Sequence, residues 1–334
     1  MLPPFGWQAA LEHWEFAPVV TAFAVVAAAL YLWGAWRVAK RHPARPWPLW
    51  RTGLFLAGLA VMVVATESGI GAYDDVLFWD HMIQHLMLIM IAPALLVVGQ
   101  PFTLLLHASR NPLHTWAKRA MRSRVVSFLT WPPFTFVAYA AAIVSTHLTG
   151  LTKLTLANPV AHDAEHALYL FIGYLFFLPI LGREPIRWRI SYPIRFILLV
   201  LAMPIDTFTG LVLGYANTPV ASPAGRPPGS PSLVEDAHLG GAVMWIGGDA
   251  LMLVFMMLVF LMWARDDSPA ITSRGWLEAV RKNSFEALVT TPGETPGPAG
   301  ERNPAAQAAG GIDDDEHLDA YNAYLARLND PKAH

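Results

Sequence analysis

Apolar residues run through this chain in long blocks, without the strict alternation or the narrow amphipathic stripes of a soluble core. A helix crossing hydrocarbon needs roughly 20 such residues, so blocks of that length bounded by charge, Pro or Gly are read as spans. About seven emerge, at 18–36, 50–67, 82–106, 125–146, 162–181, 194–215 and 239–263. The pattern predicts an all-α integral membrane protein with about seven transmembrane helices within residues 1–265.

The charges between the blocks alternate in sign. Arg37, Lys40, Arg41, Arg45 and Arg51 follow the first block, and Arg110, Lys118, Arg119, Arg122 and Arg124 follow the third. Arg183, Arg187, Arg189 and Arg195 follow the fifth. The intervening connections are poor in bases: one carries Glu67, Asp74, Asp75 and Asp80, and the other two hold only Lys153 and Arg226. Short basic loops are retained in the cytoplasm, which predicts an outside N-terminus and a cytoplasmic C-terminus. Past residue 265 the hydropathy collapses, so 266–334 is expected to be a mostly disordered cytoplasmic tail. Within it, Leu318, Tyr321, Leu325 and Leu328 are spaced for an amphipathic helix over 313–329.

Composition narrows the chemistry. The chain is 54% hydrophobic and only 14% charged, more apolar surface than one soluble core would hide, and the lipid bilayer is its expected surroundings. A net charge of −2 with no basic stripe argues against a nucleic-acid partner. Cys is absent, which excludes disulfides, iron–sulfur clusters and thiolate sites and leaves His, Met, carboxylate or backbone as metal ligands.

Threading the blocks by their charges brings His13, His81, His85, His147, His162, His166 and His238 to one end of the bundle, the extracytoplasmic one. His81 and His85 are four residues apart at the start of the third block, and His162 and His166 repeat that spacing in the fifth. Each pair therefore shares a helix face. His147 closes the fourth block and His238 opens the seventh, whereas His13 reads as a polar residue tolerated at the interface. Ionisable groups bordering spans are costly and normally face the bundle interior. Neutral imidazoles suit copper, zinc, iron or nickel, and thioether sulfur favours Cu(I), which makes Met244 and Met203 the auxiliary candidates, while Met82 only borders the first His pair. Asp80, Glu165 and Asp236 stand beside these histidines as carboxylates able to fix imidazole tautomers.

Two other chemistries compete for the same residues. His162-Asp163-Ala164-Glu165-His166 fits the inverted zinc-protease pattern, but it opens a span and no third-ligand motif follows, so the expectation is a protein without enzymatic activity. Facing histidines could also hold a b-type haem. The clustering of imidazoles near one interface fits a metal-ion site better than two axial ligands deep between helices.

The same residues carry a family resemblance. Trp79 to Leu86, WDHMIQHL, running into IMIAPALLVVGQP, resembles the H-M-x-Q-H-L segment of the multispan membrane CtaG-type cytochrome c oxidase assembly proteins. His147 and then HDAEHALYLFIGYLFFLP are similar to that family's later His and H-x-x-E-H segments, and DAHLGGAVMW from Asp236 is similar to its D-x-x-x-G-G-x-x-M-W motif. The resemblance covers about residues 15–265 in order and leaves out the tail. It implies a multi-pass protein of the bacterial inner membrane that helps mature a haem–copper oxidase, with the oxidase catalytic subunit as partner. On that view copper, as Cu(I), is taken from an extracytoplasmic donor and held by His81, His85, His147, His162 and His166, with His238 and Met244 adjoining. A metal-independent scaffold for oxidase assembly and a haem-binding membrane protein are the alternatives.

Overall fold

The computed structural model describes residues 3–6, 12–217 and 225–266. The chain divides into two compact units, Met1–Trp263 and Ala264–His334, and the architecture below is that of the first. The tail beyond Asp266, with the helix expected over 313–329, lies outside the described residues.

The described residues form helices and no strands. In chain order these are α1 (Pro18–Arg41), α2 (Leu49–Glu67), the short α3 (Gly69–Tyr73), the long interrupted α4 (Phe78–Ala108), α5 (Leu113–Met121), α6 (Arg124–Leu129), α7 (Pro132–Leu148), α8 (Leu151–Ala157), α9 (Pro159–Leu181), α10 (Tyr192–Gly214) and α11 (Leu233–Ala264). The segments Leu49–Tyr73, Phe78–Ala108, Pro159–Leu181, Tyr192–Gly214, Leu233–Ala264 and Pro18–Arg41 are long and apolar enough to cross a membrane. This is a multi-pass membrane protein with six such helices among the described residues.

The fourth expected span, 125–146, is not among these six and is broken into α6 and α7. Thr130 Oγ1 folds back on the Val126 carbonyl at 2.7 Å, and Pro132, which has no N–H to continue the ladder, starts a new helix. The 17 residues of α7 rise about 26 Å and carry the chain from the end where Ser127 accepts from Trp188 to His147 beside His85.

α4 is the axis of the bundle: 72% of its apolar window is buried, against 17% for α1. α2 packs on one side of its middle and α9 on the other, while the start of α11 lies against Phe78–Leu86. α10 joins α11 to α7, α7 joins α10 to α9, and α1 is held at the edge by α2 and the end of α4. The outward side chains of α1, including Val19, Leu30 and Trp36, are exposed and apolar, as a surface facing lipid requires. α9 approaches α4 so closely that a Cβ on Gly173 would run into the Ile89 carbonyl oxygen, which only a glycine permits. Two π-helical turns interrupt the regular ladder, at Met87–Ile91 in α4 and Val243–Gly247 in α11. Such turns recur at functional sites, and here both adjoin the same pocket.

Candidate metal centre

Helical spacing builds the site. His81 and His85 lie one turn apart on the inward face of α4, with ring centroids 3.9 Å apart, and His162 and His166 do the same on α9 at 4.3 Å. The packing of α9 on α4 sets the His81 and His162 rings 5.3 Å apart, and His147 at the end of α7 comes to 5.2 Å from the His85 ring. His81, His85, His147 and His162 are buried and His166 is nearly so. The five imidazoles predicted to cluster are brought together.

The surrounding hydrogen bonds settle which ring nitrogens are free. The Ile143 carbonyl can only accept, so the His147 proton sits on Nδ1, 2.9 Å from that oxygen. Its Nε2 must then accept from His85 Nδ1 at 3.1 Å, which leaves His85 Nε2 as a lone pair. Gln84 donates its amide to the Ala65 carbonyl at 3.0 Å and to Asp74 Oδ2 at 2.5 Å. The remaining Gln84 oxygen accepts from His166 Nε2 at 2.8 Å, which turns the His166 lone pair to Nδ1. His162 places Nδ1 3.3 Å from the exposed Asp75 carboxylate.

Four buried ring nitrogens, both of His81 together with Nε2 of His85 and of His162, have no hydrogen-bond partner, and neither does Glu165 Oε2. A buried polar atom without a partner costs about 1–3 kcal/mol, so a cluster of them marks a place that a metal ion or water could occupy. Donor atoms of Asp74, His81 and His162 lie within 4.8 Å of one another, and so do those of His81, His85 and Glu165. His81 belongs to both groups. Burial, reinforced by the charge of Asp75, pushes the Asp74 carboxyl well above the usual carboxylate range, so a cation beside it would restore the ionised form.

Below His85 and His147 a cavity of about 10 Å³ is lined by Met82, Met90, Met244, Tyr169 and Asp206. It has room for about one water-sized sphere and offers sulfur as well as imidazole, a donor set suited to a soft ion. Met244, placed there by the π turn of α11, is therefore at the site.

The other predicted residues fall elsewhere. His238 is exposed, with Nε2 3.2 Å from the Ala216 carbonyl, and does not join the cluster. Asp236 accepts from the Phe78 and Trp79 amides, each at 3.1 Å, and from Arg226 Nη1 at 2.8 Å. It therefore caps α4 and aims the helix that carries His81 and His85. Glu165 Oε2 stands 3.9 Å from His85 Nε2, near enough to share a cation. Asp80 is buried with neither carboxylate oxygen partnered, outside both metal-competent groups. His13 keeps to the periphery, 6.4 Å from the Tyr73 ring.

Sequence reasoning assigned no role to Gln84 or Tyr169 and counted Asp74 only as a loop charge. The signal for Tyr169 was present: it lies three and four residues past His166 and Glu165, on the face of α9 that they share. It bonds Thr146 Oγ1 at 2.5 Å, and Thr146 Oγ1 lies 2.9 Å from His147 Nδ1.

Residues 29–266 match the family described as cytochrome c oxidase caa3 assembly factor (Caa3_CtaG). Uncharacterized proteins of Mycobacterium bovis and Mycobacterium tuberculosis are each 32% identical over 267 residues, covering 77% of this chain and 40% of the relative. An uncharacterized Mycobacterium leprae protein is 29% identical over 264 residues, with 76% and 40% covered. The chain thus spans about two-fifths of the length of the curated relatives it matches. No solved structure matches. With most of the bundle inside the matched region, including every histidine of the cluster, the chain belongs to the cytochrome c oxidase caa3 assembly factor family.

Proposed function

We propose that this protein handles copper during assembly of a haem–copper oxidase, with the ion as cargo rather than as a resident cofactor. His81, His85 and His162 supply the primary nitrogens, and Asp74 and Glu165 supply charge. His147 and His166 fix the neighbouring rings and can exchange in as ligands. The exposed Asp75 beside His162 marks the mouth through which a cation is drawn in, at the end of the bundle read as extracytoplasmic. The Met82, Met90 and Met244 sulfurs beneath favour Cu(I) over zinc. Imidazole and thioether ligands bind Cu(I) without locking it in place, so transfer to the oxidase catalytic subunit proceeds by ligand exchange.

The observation that carries this reading is His81: fully buried, without a partner on either ring nitrogen, and common to two metal-competent groups. The test is the copper content of oxidase purified from cells that lack the protein. Wild type restores it in this account, and a His81→Ala, His162→Ala variant present at wild-type level in the membrane does not. Full restoration by the variant would favour the alternative, a scaffold that assembles oxidase without touching metal.

A further inference from the structure

A second concentration of chemistry lies at the opposite end of the long helices, where α4 and α9 finish. There a cleft of about 680 Å³ opens between the end of α4, α5 and the connection that follows α9. Lys118 and Arg122 line it from α5, and Arg183, Arg187 and Arg189 line it from the connection. Retention of basic loops explains why cations gather at this end of the bundle, but it is indifferent to where they point. Here cations from two separate elements converge on one cleft.

The connection is fixed in place. Glu184, Ile186 and Trp188 turn inward: Glu184 caps the last segment of α4, Ile186 is buried, and Trp188 Nε1 donates to the Ser127 carbonyl at 2.6 Å. The alternating residues Arg183, Arg187 and Arg189 are exposed. Anchored neighbours thus hold three guanidinium groups on the cleft side of an ordered segment. None of the five cations forms an ion pair with a carboxylate among the described residues, and Glu184, which shares the connection, is buried and occupied by the Phe102 and Thr103 amides. His107 and His114, also in the lining, are each fixed by an Nδ1–H bond to a backbone carbonyl, and the anion-facing donors are therefore the Lys and Arg side chains. Several uncompensated cations around one concavity repel each other until an anion enters. Forked guanidinium donors suit the oxygens of a phosphate.

The rim identifies the source of that phosphate. On α5, beside the cleft, Leu113 and Trp116 are exposed, Trp116 at 70%. An amphipathic helix with exposed Leu and Trp on one side and Lys and Arg on the other lies at the level of lipid headgroups. We propose that this cleft binds a phosphate-bearing anion, supplied by the headgroup of an anionic phospholipid whose acyl chains lie against the exposed apolar rim.

The full chain in mild detergent would be titrated with phosphatidylglycerol, phosphatidylcholine or inorganic pyrophosphate and read by native mass spectrometry. Phosphatidylglycerol should bind, phosphatidylcholine should stay at background, and the Arg183→Gln, Arg187→Gln, Arg189→Gln variant should lose affinity by about tenfold or more. A control of equal charge at the same end, Arg45→Gln, Arg119→Gln, Arg124→Gln, should bind as wild type does. Replacement of the three cleft arginines by Lys should recover part of the loss, which separates charge from misfolding. Equal loss in the control, or equal binding of phosphatidylcholine, would overturn the site. Pyrophosphate binding as tightly as the lipid and displacing it would overturn the lipid as its source.

Discussion

Two buried polar regions at opposite ends of α4 are built on opposite principles. At one end Glu184 is almost completely buried, and its carboxylate accepts from the Phe102 amide at 3.1 Å, the Thr103 amide at 2.8 Å and Thr103 Oγ1 at 2.5 Å. At the other end His81, His85, His162, Glu165 and Asp80 are equally buried yet keep atoms with no partner. The desolvation cost is comparable in the two places, but only the first is met within the protein. A closed network of this kind stabilises a helix terminus. An open one is a destabilising arrangement that persists where a ligand closes it.

The largest effect is expected at His81. His81→Ala should lower copper affinity by more than about 100-fold, beyond the ~10–100-fold that loss of a supporting residue costs. The metal-free variant should be no less stable than wild type beyond the cavity it creates, because no hydrogen bond is lost. Competition titration with a copper chelator and thermal melting of the metal-free protein check the two halves. A variant that melts far below wild type while still holding copper would make His81 a packing residue. Next in size, Gln84→Ala releases Asp74 and His166 together and should weaken copper binding by about 10–100-fold, measured in the same titration.

At the closed end the expectations reverse. Glu184→Ala strands two backbone amides at the start of the last segment of α4, which should cost about 1–3 kcal/mol in chemical or thermal unfolding. Copper binding should not change. The smallest effect is a pH dependence. Burial raises the Glu184 carboxyl above its ordinary value, against the opposing pull of its Thr103 and Phe102 bonds. The folded state therefore holds this proton more tightly than the unfolded chain, so the group's contribution falls as pH rises from the ordinary carboxylate range through the raised value. Melting temperatures of wild type and Glu184→Gln, compared from pH 4 upward, should shift against wild type as pH rises.

Much of the fold was legible because a membrane span is a one-dimensional signal of length and hydropathy. What hydropathy did not reveal is the break inside 125–146, where apolar residues continue across Thr130–Pro133 but the backbone ladder does not. The paired histidines were legible for a similar reason, since spacing by four residues fixes a shared face whatever the tertiary structure. Asp74 was not, because it reaches the cluster from the turn after α3, where no period applies. His238 illustrates the converse error. Its height along the bundle was inferred from sequence, but its direction depends on how α11 rotates against α4 and α10, and it points outward. Asp236 was placed near the histidines for the right neighbourhood and the wrong contact, since it bonds the amides of α4 and Arg226 rather than an imidazole.

The open network at the start of α4 is the copper site proposed above. Its most direct test is the copper stoichiometry of the purified full chain, loaded with Cu(I) under reducing conditions and desalted, for wild type beside His81→Ala and His85→Ala. Wild type should take up a defined, saturable amount of copper that both variants lose. Equal copper in all three, or none in wild type, would contradict it.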